Sequence, residues 1–158
     1  MKTLFVFVLT VVTSFAFALG DKDYNKKYDP NRNSVADFEA AKKDAKASGK
    51  LILVEFGGDW CVWCHRLEKF ITSNPEINSG IDDVFIFLKV NVSDENKNEE
   101  FVSQFPKIKG YPFFAITDSN GTVIGTQYTG SLEAGKGYSV DRFKEFIAKW
   151  KAVQANQK

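Results

Sequence analysis

Residues 51–64 read Leu-Ile-Leu-Val-Glu-Phe-Gly-Gly-Asp-Trp-Cys-Val-Trp-Cys, and this stretch decides the fold. The first six residues form a short apolar run of the kind that buried strands show, and Gly57-Gly58 ends it. From Cys61 to Ile71 the apolar residues recur at helical spacing. The sequence therefore predicts a buried strand that leads directly into a helix with two cysteines in its first turn.

The spacing of the two cysteines points to redox chemistry. Residues three apart on a helix lie on one face with Cβ atoms about 5 to 6 Å apart, so a modest adjustment closes a disulfide. In the first turn, free backbone N–H groups and the helix dipole stabilise a thiolate. We therefore assign Cys61 as the nucleophile and Cys64 as the resolving thiol. A purely structural disulfide and half of a metal site are the alternatives.

Two further interpretations use the same cysteines. With His65 the motif reads Cys-x-x-Cys-His, which is also the attachment signature for a c-type haem. Such a haem usually takes a second axial Met or His, but Met1 is the only methionine and His65 the only histidine. Structural zinc requires four Cys or His ligands, and this chain offers three at most. We expect no cofactor and no metal.

Outward from this stretch, apolar periodicity and turn signals predict the other elements. A helix over 34–48 begins with a capping box formed by Ser34 and Asp37, and Ser139 caps a last helix. Asn120-Gly121 is a strong hairpin signal between two antiparallel strands. The remaining predicted elements are a strand over 84–92, a short helix near 99–105, and the hairpin strands 113–117 and 122–128. The predicted order is helix, strand, helix, strand, helix, strand, strand, helix, in a single domain of the α/β class.

The N-terminus has the pattern of a secretory signal peptide. Residues 3–19 are mostly Leu, Val, Phe and Ala, and Ala16-Phe17-Ala18 supplies a cleavage site after Ala18. An uncleaved membrane anchor is the alternative, but the stretch is shorter than the ~20 apolar residues of a spanning helix. We expect a signal peptide at 1–18, a flexible lead-in at 19–33, one domain at 34–152 and a polar tail at 153–158.

Composition and charge exclude several classes of protein. The chain has 158 residues, of which 44% are hydrophobic and 26% charged, so it is neither disordered nor too small for a packed core. Lys and Arg number 21 against 20 Asp and Glu, which gives no basic face for nucleic acid. Two cysteines are too few for a disulfide scaffold. An exported chain would nevertheless expose them to oxidants.

The combined motifs resemble those of thioredoxin-fold proteins. The resemblance rests on the strand and the Cys-Val-Trp-Cys segment at 51–64, on Lys-Val-Asn-Val at 89–92, on Gly110-Tyr111-Pro112 and on the hairpin. It covers roughly residues 34–152 and is strongest for exported members of the family. It implies an α/β fold with a central mixed sheet of about four strands flanked by helices.

The resemblance also implies further site residues. Pro112 matches a proline whose preceding peptide is cis and lies beside the reactive cysteines, and the backbone of Tyr111 would pair with an extended substrate strand. Glu55 aligns with a buried acid beneath the resolving cysteine, where it would accept the proton of Cys64. Lys89 aligns with a lysine beside that acid. A solvated pair at the strand ends is the alternative for Glu55 and Lys89.

The chain departs from the family pattern in ways that bear on its activity. Val62-Trp63 replaces the usual Gly-Pro and supplies no positive charge to the thiolate, so we expect a reductant rather than a strong oxidant. Trp60, Trp63 and Tyr111 would surround Cys61 as an apolar platform for a protein partner. Residues 72–82 resemble an insertion, and we expect His65 to lie on a solvated face.

Together these features predict an exported thiol:disulfide oxidoreductase, most simply a monomer of the bacterial periplasm with no stable membrane insertion after signal cleavage. The secretory lumen and the extracellular space are the alternative compartments. Its partners would be protein thiols and disulfides and an upstream redox protein, and not nucleic acid. The alternative is a thioredoxin-fold peptide-binding or chaperone module in which the disulfide is only structural.

Overall fold

A computed structural model describes residue 24 and residues 27–156, so the expected signal peptide at 1–18 lies outside the described residues. The helices are α1 (Ser34–Ser48), α2 (Val62–Ser73), α3 (Pro75–Val84), α4 (Glu99–Val102) and α5 (Val140–Ala155). The strands are β1 (Leu51–Gly57), β2 (Phe85–Asn91), β3 (Phe113–Thr117), β4 (Val123–Tyr128), β5 (Glu133–Ala134) and β6 (Gly137–Tyr138). Within these ranges no helix is both long enough and apolar enough to cross a membrane.

A four-stranded mixed sheet in the order β2-β1-β3-β4 forms the centre of the fold. β1 pairs in parallel with β2 and antiparallel with β3, and β3 pairs antiparallel with β4. Because side chains alternate along a strand, Ile52 and Val54 pack toward α1 and α4, whereas Leu51 and Leu53 pack toward α2, α3 and α5. Helices therefore cover both faces of the sheet, and the predicted fold class is confirmed.

The first helix has the predicted bounds but a different cap. The side chain of Asn33, not of Ser34, accepts the backbone N–H of Ala36, because Asn33 has the extended backbone that an N-cap needs. The expected capping box is therefore wrong. The carboxylate of Asp37 instead accepts two hydrogen bonds from Arg32, both at 2.7 Å.

The segment expected to be an insertion contains a helix that the sequence analysis missed. Pro75 occupies the first position of α3, where the absence of an N–H costs nothing. Ile77, Ile81 and Val84 are buried along one face of this helix and join the core beneath α5. Residues 72–82 are therefore part of the packed domain.

The ends of the domain also differ from expectation. Tyr24 and Tyr28 are only 3% and 7% exposed, so the described part of the expected flexible lead-in packs against the domain. Tyr24 joins the core on the α1 side, and its hydroxyl donates to Asp44 at 2.7 Å. At the other end α5 continues to Ala155, beyond the boundary expected at 152.

Candidate active site

The two cysteines lie where the sheet passes into α2. Cys61 is the N-cap of the helix, and a disulfide joins it to Cys64 with the Cα atoms 5.2 Å apart. The Sγ atom of Cys61 accepts the backbone N–H of Cys64 at 3.1 Å. When the pair is reduced, the same N–H and the helix dipole stabilise negative charge on the Cys61 sulfur. The geometry therefore suits Cys61 for the attacking role and Cys64 for the resolving role.

Strand alternation puts Glu55 on the face of β1 that meets the cysteines. Glu55 lies on the same face of β1 as Leu53 and Gly57, and a methyl group at Gly57 would lie 2.6 Å from the Sγ atom of Cys64. Only 2% of Glu55 is exposed, so it is a buried acid and not part of a solvated strand-end pair. Burial raises the pKa of Glu55 to about 7, against the opposing effect of the positive charge of Lys89. A carboxyl with this pKa can accept or return a proton near neutral pH.

Lys89 stands opposite Glu55 in the parallel β1–β2 register and is 8% exposed. Its charge acts on Glu55, as the resemblance implies, but its Nζ atom also donates to the carboxylate of Glu68 in α2. The sequence analysis did not predict this ion pair. The negative charge of Glu68 in turn favours the neutral form of Glu55. The acid thus sits between opposing charges.

Tyr28 is a further site residue that the sequence analysis missed. It packs with Cys61 and Cys64 in a small cluster of its own, and Lys89 lies 5.8 Å from the centre of its ring. Its buried hydroxyl makes no hydrogen bond of standard geometry among the described residues, yet it faces Glu55 closely enough to lower the pKa of that carboxyl. Tyr28 lies in a polar segment without an apolar period, so no local sequence pattern predicts that it is buried. The only available signal is that the segment directly precedes the domain.

The predicted aromatic platform forms in part. Trp60 is 56% exposed, its indole N–H donates to the carbonyl of Val92 at 2.8 Å, and its ring meets Tyr111 edge to face at 5.4 Å. Trp63 packs against the cluster of Tyr28, Cys61 and Cys64, as does Tyr111. The Trp63 ring also meets Tyr138 edge to face at 5.7 Å, and the guanidinium of Arg66 lies 4.5 Å above it. Trp60 and Tyr111 therefore form the exposed aromatic pair, and Trp63 in the first turn of α2 contacts both the cysteine cluster and the core on the α2 side.

The Tyr111–Pro112 peptide bond is cis, as the resemblance implies, and Pro112 is buried. The carbonyl of Pro112 accepts a hydrogen bond from the hydroxyl of Thr129. Beside this bond lies a mainly apolar groove of about 510 Å³. It is lined by Trp60, Val92, Ser93, Asp94, Lys97, Glu99, Val102, Ser103 and Tyr111.

His65 is exposed, and its Nε2 atom lies 2.7 Å from the backbone carbonyl of Asp59. This contact joins the first turn of α2 to the loop before it. Among the described residues, no group of three or more His, Cys, Asp or Glu side chains is placed to hold a metal ion.

Comparison with known proteins assigns the family. A family model described as thioredoxin-like matches residues 33–119, which is more than half of the chain. The chain belongs to the thioredoxin-like family. The match begins at the N-cap of α1, includes both cysteines and Pro112, and ends in the hairpin turn. Membership of this family, together with the cysteine pair, supports thiol:disulfide oxidoreductase activity.

Curated relatives of this thioredoxin-like protein are named for thiol:disulfide interchange. It is 30% identical over 77 residues to the thiol:disulfide interchange protein DsbD of Salmonella paratyphi A, which is 49% of this chain and 13% of DsbD. It is 29% identical over 103 residues to DsbD of Pseudomonas fluorescens, which is 64% of this chain and 17% of that protein. The chain thus spans less than a fifth of the length of these curated relatives.

Solved structures agree with the family. A disulphide isomerase from Xylella fastidiosa superposes with a TM-score of 0.66 and 27% identity, covering 77% of this thioredoxin-like chain and 94% of the isomerase. The oxidised C-terminal domain of Neisseria meningitidis DsbD gives a TM-score of 0.56 at 17% identity, covering 75% of this chain and 96% of that domain. The second likeness supports the fold alone.

Proposed function

We propose that this chain is an exported thiol:disulfide oxidoreductase that reduces or exchanges the disulfides of other proteins. The observation that carries the proposal is the Cys61–Cys64 disulfide at the start of α2, which packs against the face of β1 that also carries the buried Glu55. A disulfide that closes so small a loop constrains the unfolded chain little, so stability alone gives weak reason for it. A titratable group with a pKa near neutral, on the strand face that meets the resolving sulfur, suits proton transfer.

The proposed reaction proceeds in two exchanges. The thiolate of reduced Cys61 attacks one sulfur of a substrate disulfide, forms a mixed disulfide, and releases the other substrate sulfur as a thiolate that takes a proton from water. The thiol of Cys64 then gives its proton to the carboxylate of Glu55, and the resulting thiolate attacks the Cys61 sulfur. The Cys61–Cys64 disulfide forms, the second substrate thiolate leaves, and Glu55 can return the proton to it. The substrate disulfide is reduced by two electrons and the cysteine pair is oxidised.

The surroundings of Cys61 favour the reducing direction. Neither Val62 nor Trp63 supplies a positive charge, and Arg66 is held over the Trp63 ring. The Cys61 thiolate is therefore stabilised mainly by the helix N-terminus, and a thiolate stabilised less gives a less oxidising pair. We expect a reduction potential near the thioredoxin value of about −270 mV rather than the DsbA value of about −120 mV. Equilibration with dithiothreitol, followed by tryptophan fluorescence, measures it.

The substrate side of the proposal rests on the exposed aromatic pair. Trp60 and Tyr111 border the apolar groove, and an extended substrate strand would pair with the Tyr111 backbone beside Pro112. Such a surface suits a protein segment around an accessible disulfide. By analogy with DsbD, whose name is that of an interchange protein, a second redox protein would return electrons to the oxidised pair.

Export to the periplasm, as a monomer, completes the proposal. It rests on the apolar leader and the Ala16-Phe17-Ala18 site of the sequence. Expression of the full chain in a Gram-negative host, fractionation and mass spectrometry of the periplasmic protein should recover a chain that begins at Leu19. Retention of the leader in the membrane fraction would contradict export of a soluble domain.

Insulin reduction tests the activity directly. The reduced chain should precipitate the insulin B chain, and Cys61→Ser should abolish this because the attacking sulfur is lost. Cys64→Ser is the matched variant, because it keeps Cys61 and should accumulate a mixed disulfide that a reductant releases. Activity retained by Cys61→Ser, or no trapped species with Cys64→Ser, would overturn the assigned roles.

A further inference from the structure

Tyr28 lies outside the expected domain but contacts its reactive centre. The residue is 7% exposed and packs against both cysteines, although the segment that carries it precedes α1. A methyl group at Gly57 would lie 2.6 Å from the Tyr28 hydroxyl oxygen and equally 2.6 Å from the Sγ atom of Cys64. The hydroxyl and the resolving sulfur therefore line the same small space.

The only polar atom of this side chain has a clear counterpart. The Tyr28 hydroxyl is buried without a hydrogen bond of standard geometry among the described residues, and a buried hydroxyl left without an acceptor is costly. The carboxylate of Glu55 faces it, and the burial of both groups leaves the hydroxyl in its protonated form. A protonated phenol beside a carboxylate is a hydrogen-bond donor to it.

We propose that Tyr28 is a positioning residue for Glu55: its hydroxyl donates to the carboxylate and holds it in the orientation from which it takes the proton of Cys64. The segment before α1 is thereby part of the catalytic apparatus. The inference rests on the oxidoreductase function proposed above and adds a residue that acts through Glu55. Tyr28 itself exchanges no proton with the sulfur.

Solvent access supports this role. Tyr28 lines a cleft of about 300 Å³ together with Asp59 and Trp60, while Glu55 is 2% exposed. Tyr28 therefore contacts both this cleft and, through its hydroxyl, the buried carboxyl. It keeps water from Glu55 and supplies in its place one fixed donor, which is the arrangement that makes a buried base directional.

The other groups that act on Glu55 come from three elements. Lys89 on β2 lowers its pKa, Glu68 on α2 raises it, and the hydroxyl of Tyr138 on β6 is close enough to interact with it. Tyr28 comes from the segment before α1 and, like Lys89, favours the ionised form of the Glu55 carboxyl. Loss of its hydroxyl should therefore make Glu55 a base only at higher pH.

The test compares Tyr28→Phe with Tyr24→Phe. Each change removes one buried tyrosine hydroxyl, but the Tyr24 hydroxyl donates to Asp44 on the α1 side, away from the cysteines. The rate at which the reduced protein reduces insulin is measured from about pH 6 to about pH 9.5. Loss of one hydrogen bond to the charged form of Glu55 should lower its ionisation constant roughly tenfold, which raises its pKa by about one unit.

In Tyr28→Phe we expect the acid limb, which reports ionisation of Glu55, to move about one unit to higher pH. The variant should be roughly tenfold slower than the wild type near pH 6 and equal to it near pH 9.5. Tyr24→Phe should follow the wild-type profile. An unmoved limb in Tyr28→Phe, or an equal shift in both variants, would overturn the proposal.

A second measurement uses stability and not activity. The pH dependence of urea unfolding of the oxidised protein reports the Glu55 titration, and in Tyr28→Phe that titration should move in the same direction by about one unit. In a Glu55→Gln background the tyrosine change should leave the pH dependence unaltered, and any remaining shift would contradict action through Glu55. If the wild type fails to reduce insulin, the proposed function fails, whereas the stability data still decide the role of Tyr28.

Discussion

Replacement of Glu55 by Gln should change the pH dependence of stability in a direction set by burial. Burial raises the pKa of Glu55 from 4.5 to about 7 in the folded chain. Between these two values the folded protein binds more protons than the unfolded one, so this group makes stability fall as pH rises. The contribution of Glu55 to the free energy of unfolding is most favourable below about pH 4.5. It decreases as the pH rises and is lost once the pH exceeds about 7.

The magnitude follows from the same two values. A difference of about 2.5 pH units corresponds to ~3 kcal/mol of stability lost when the buried carboxyl ionises. Gln has nearly the same shape and does not titrate, so the variant avoids this loss. The free energy of unfolding of Glu55→Gln, relative to the wild type, should therefore rise by about 3 kcal/mol between pH 4.5 and pH 8.5.

Urea unfolding of the oxidised proteins, followed by tryptophan fluorescence, measures this difference. All other titrations are common to both chains and cancel. Glu145→Gln is the matched control, because it makes the same substitution at an exposed position on α5. A difference between Glu55→Gln and the wild type that stays constant with pH, within about 0.5 kcal/mol, would remove the basis for the role of Glu55 as a proton acceptor.

Two other substitutions test the packing around the cysteines. Gly57→Ala places a methyl group 2.6 Å from the Cys64 sulfur and should lower stability by about 1–3 kcal/mol in thermal unfolding, whereas Gly137→Ala, which meets open space, should have little effect. Trp60→Ala should lower kcat/KM for insulin severalfold, because it removes an exposed contact surface. It should also lower stability by about 1 kcal/mol, because the hydrogen bond to the Val92 carbonyl is lost. An unchanged kcat/KM would show that the aromatic pair does not bind the substrate.

Local patterns predicted the parts of the fold that have a period or a turn signal. The apolar run at 51–56, the helix over 34–48 and the Asn-Gly hairpin all have such signals, and the structure contains each of them. The helix α3 also has one, since Ile77 and Ile81 are four residues apart and Pro75 stands at the start. It was missed because the segment was judged by the family pattern, in which it resembles an insertion.

The cap of α1 shows a different limit. Asn33 and Ser34 are both good N-caps, and sequence preference alone does not choose between neighbours. The choice is made by the backbone: Asn33 is extended, Ser34 is already helical and buried, and Asp37 is occupied by Arg32. The boundary is thus decided by contacts that form only when the segment before the helix packs against the domain.

Some features of the candidate site follow from local sequence patterns, and others depend on contacts between distant elements. Strand period and parallel register place Glu55 and Lys89 side by side on one face of the sheet, so two residues chosen by resemblance are neighbours for a reason that their strands explain. No local pattern predicts that Glu68 pairs with Lys89 or that Tyr28 reaches Glu55 from before the domain. The acid can be found from the sequence, but its pKa cannot, because burial and charges from separate elements set it. A change in any one of these elements should therefore alter the pH at which the cysteine pair works without altering the cysteines themselves.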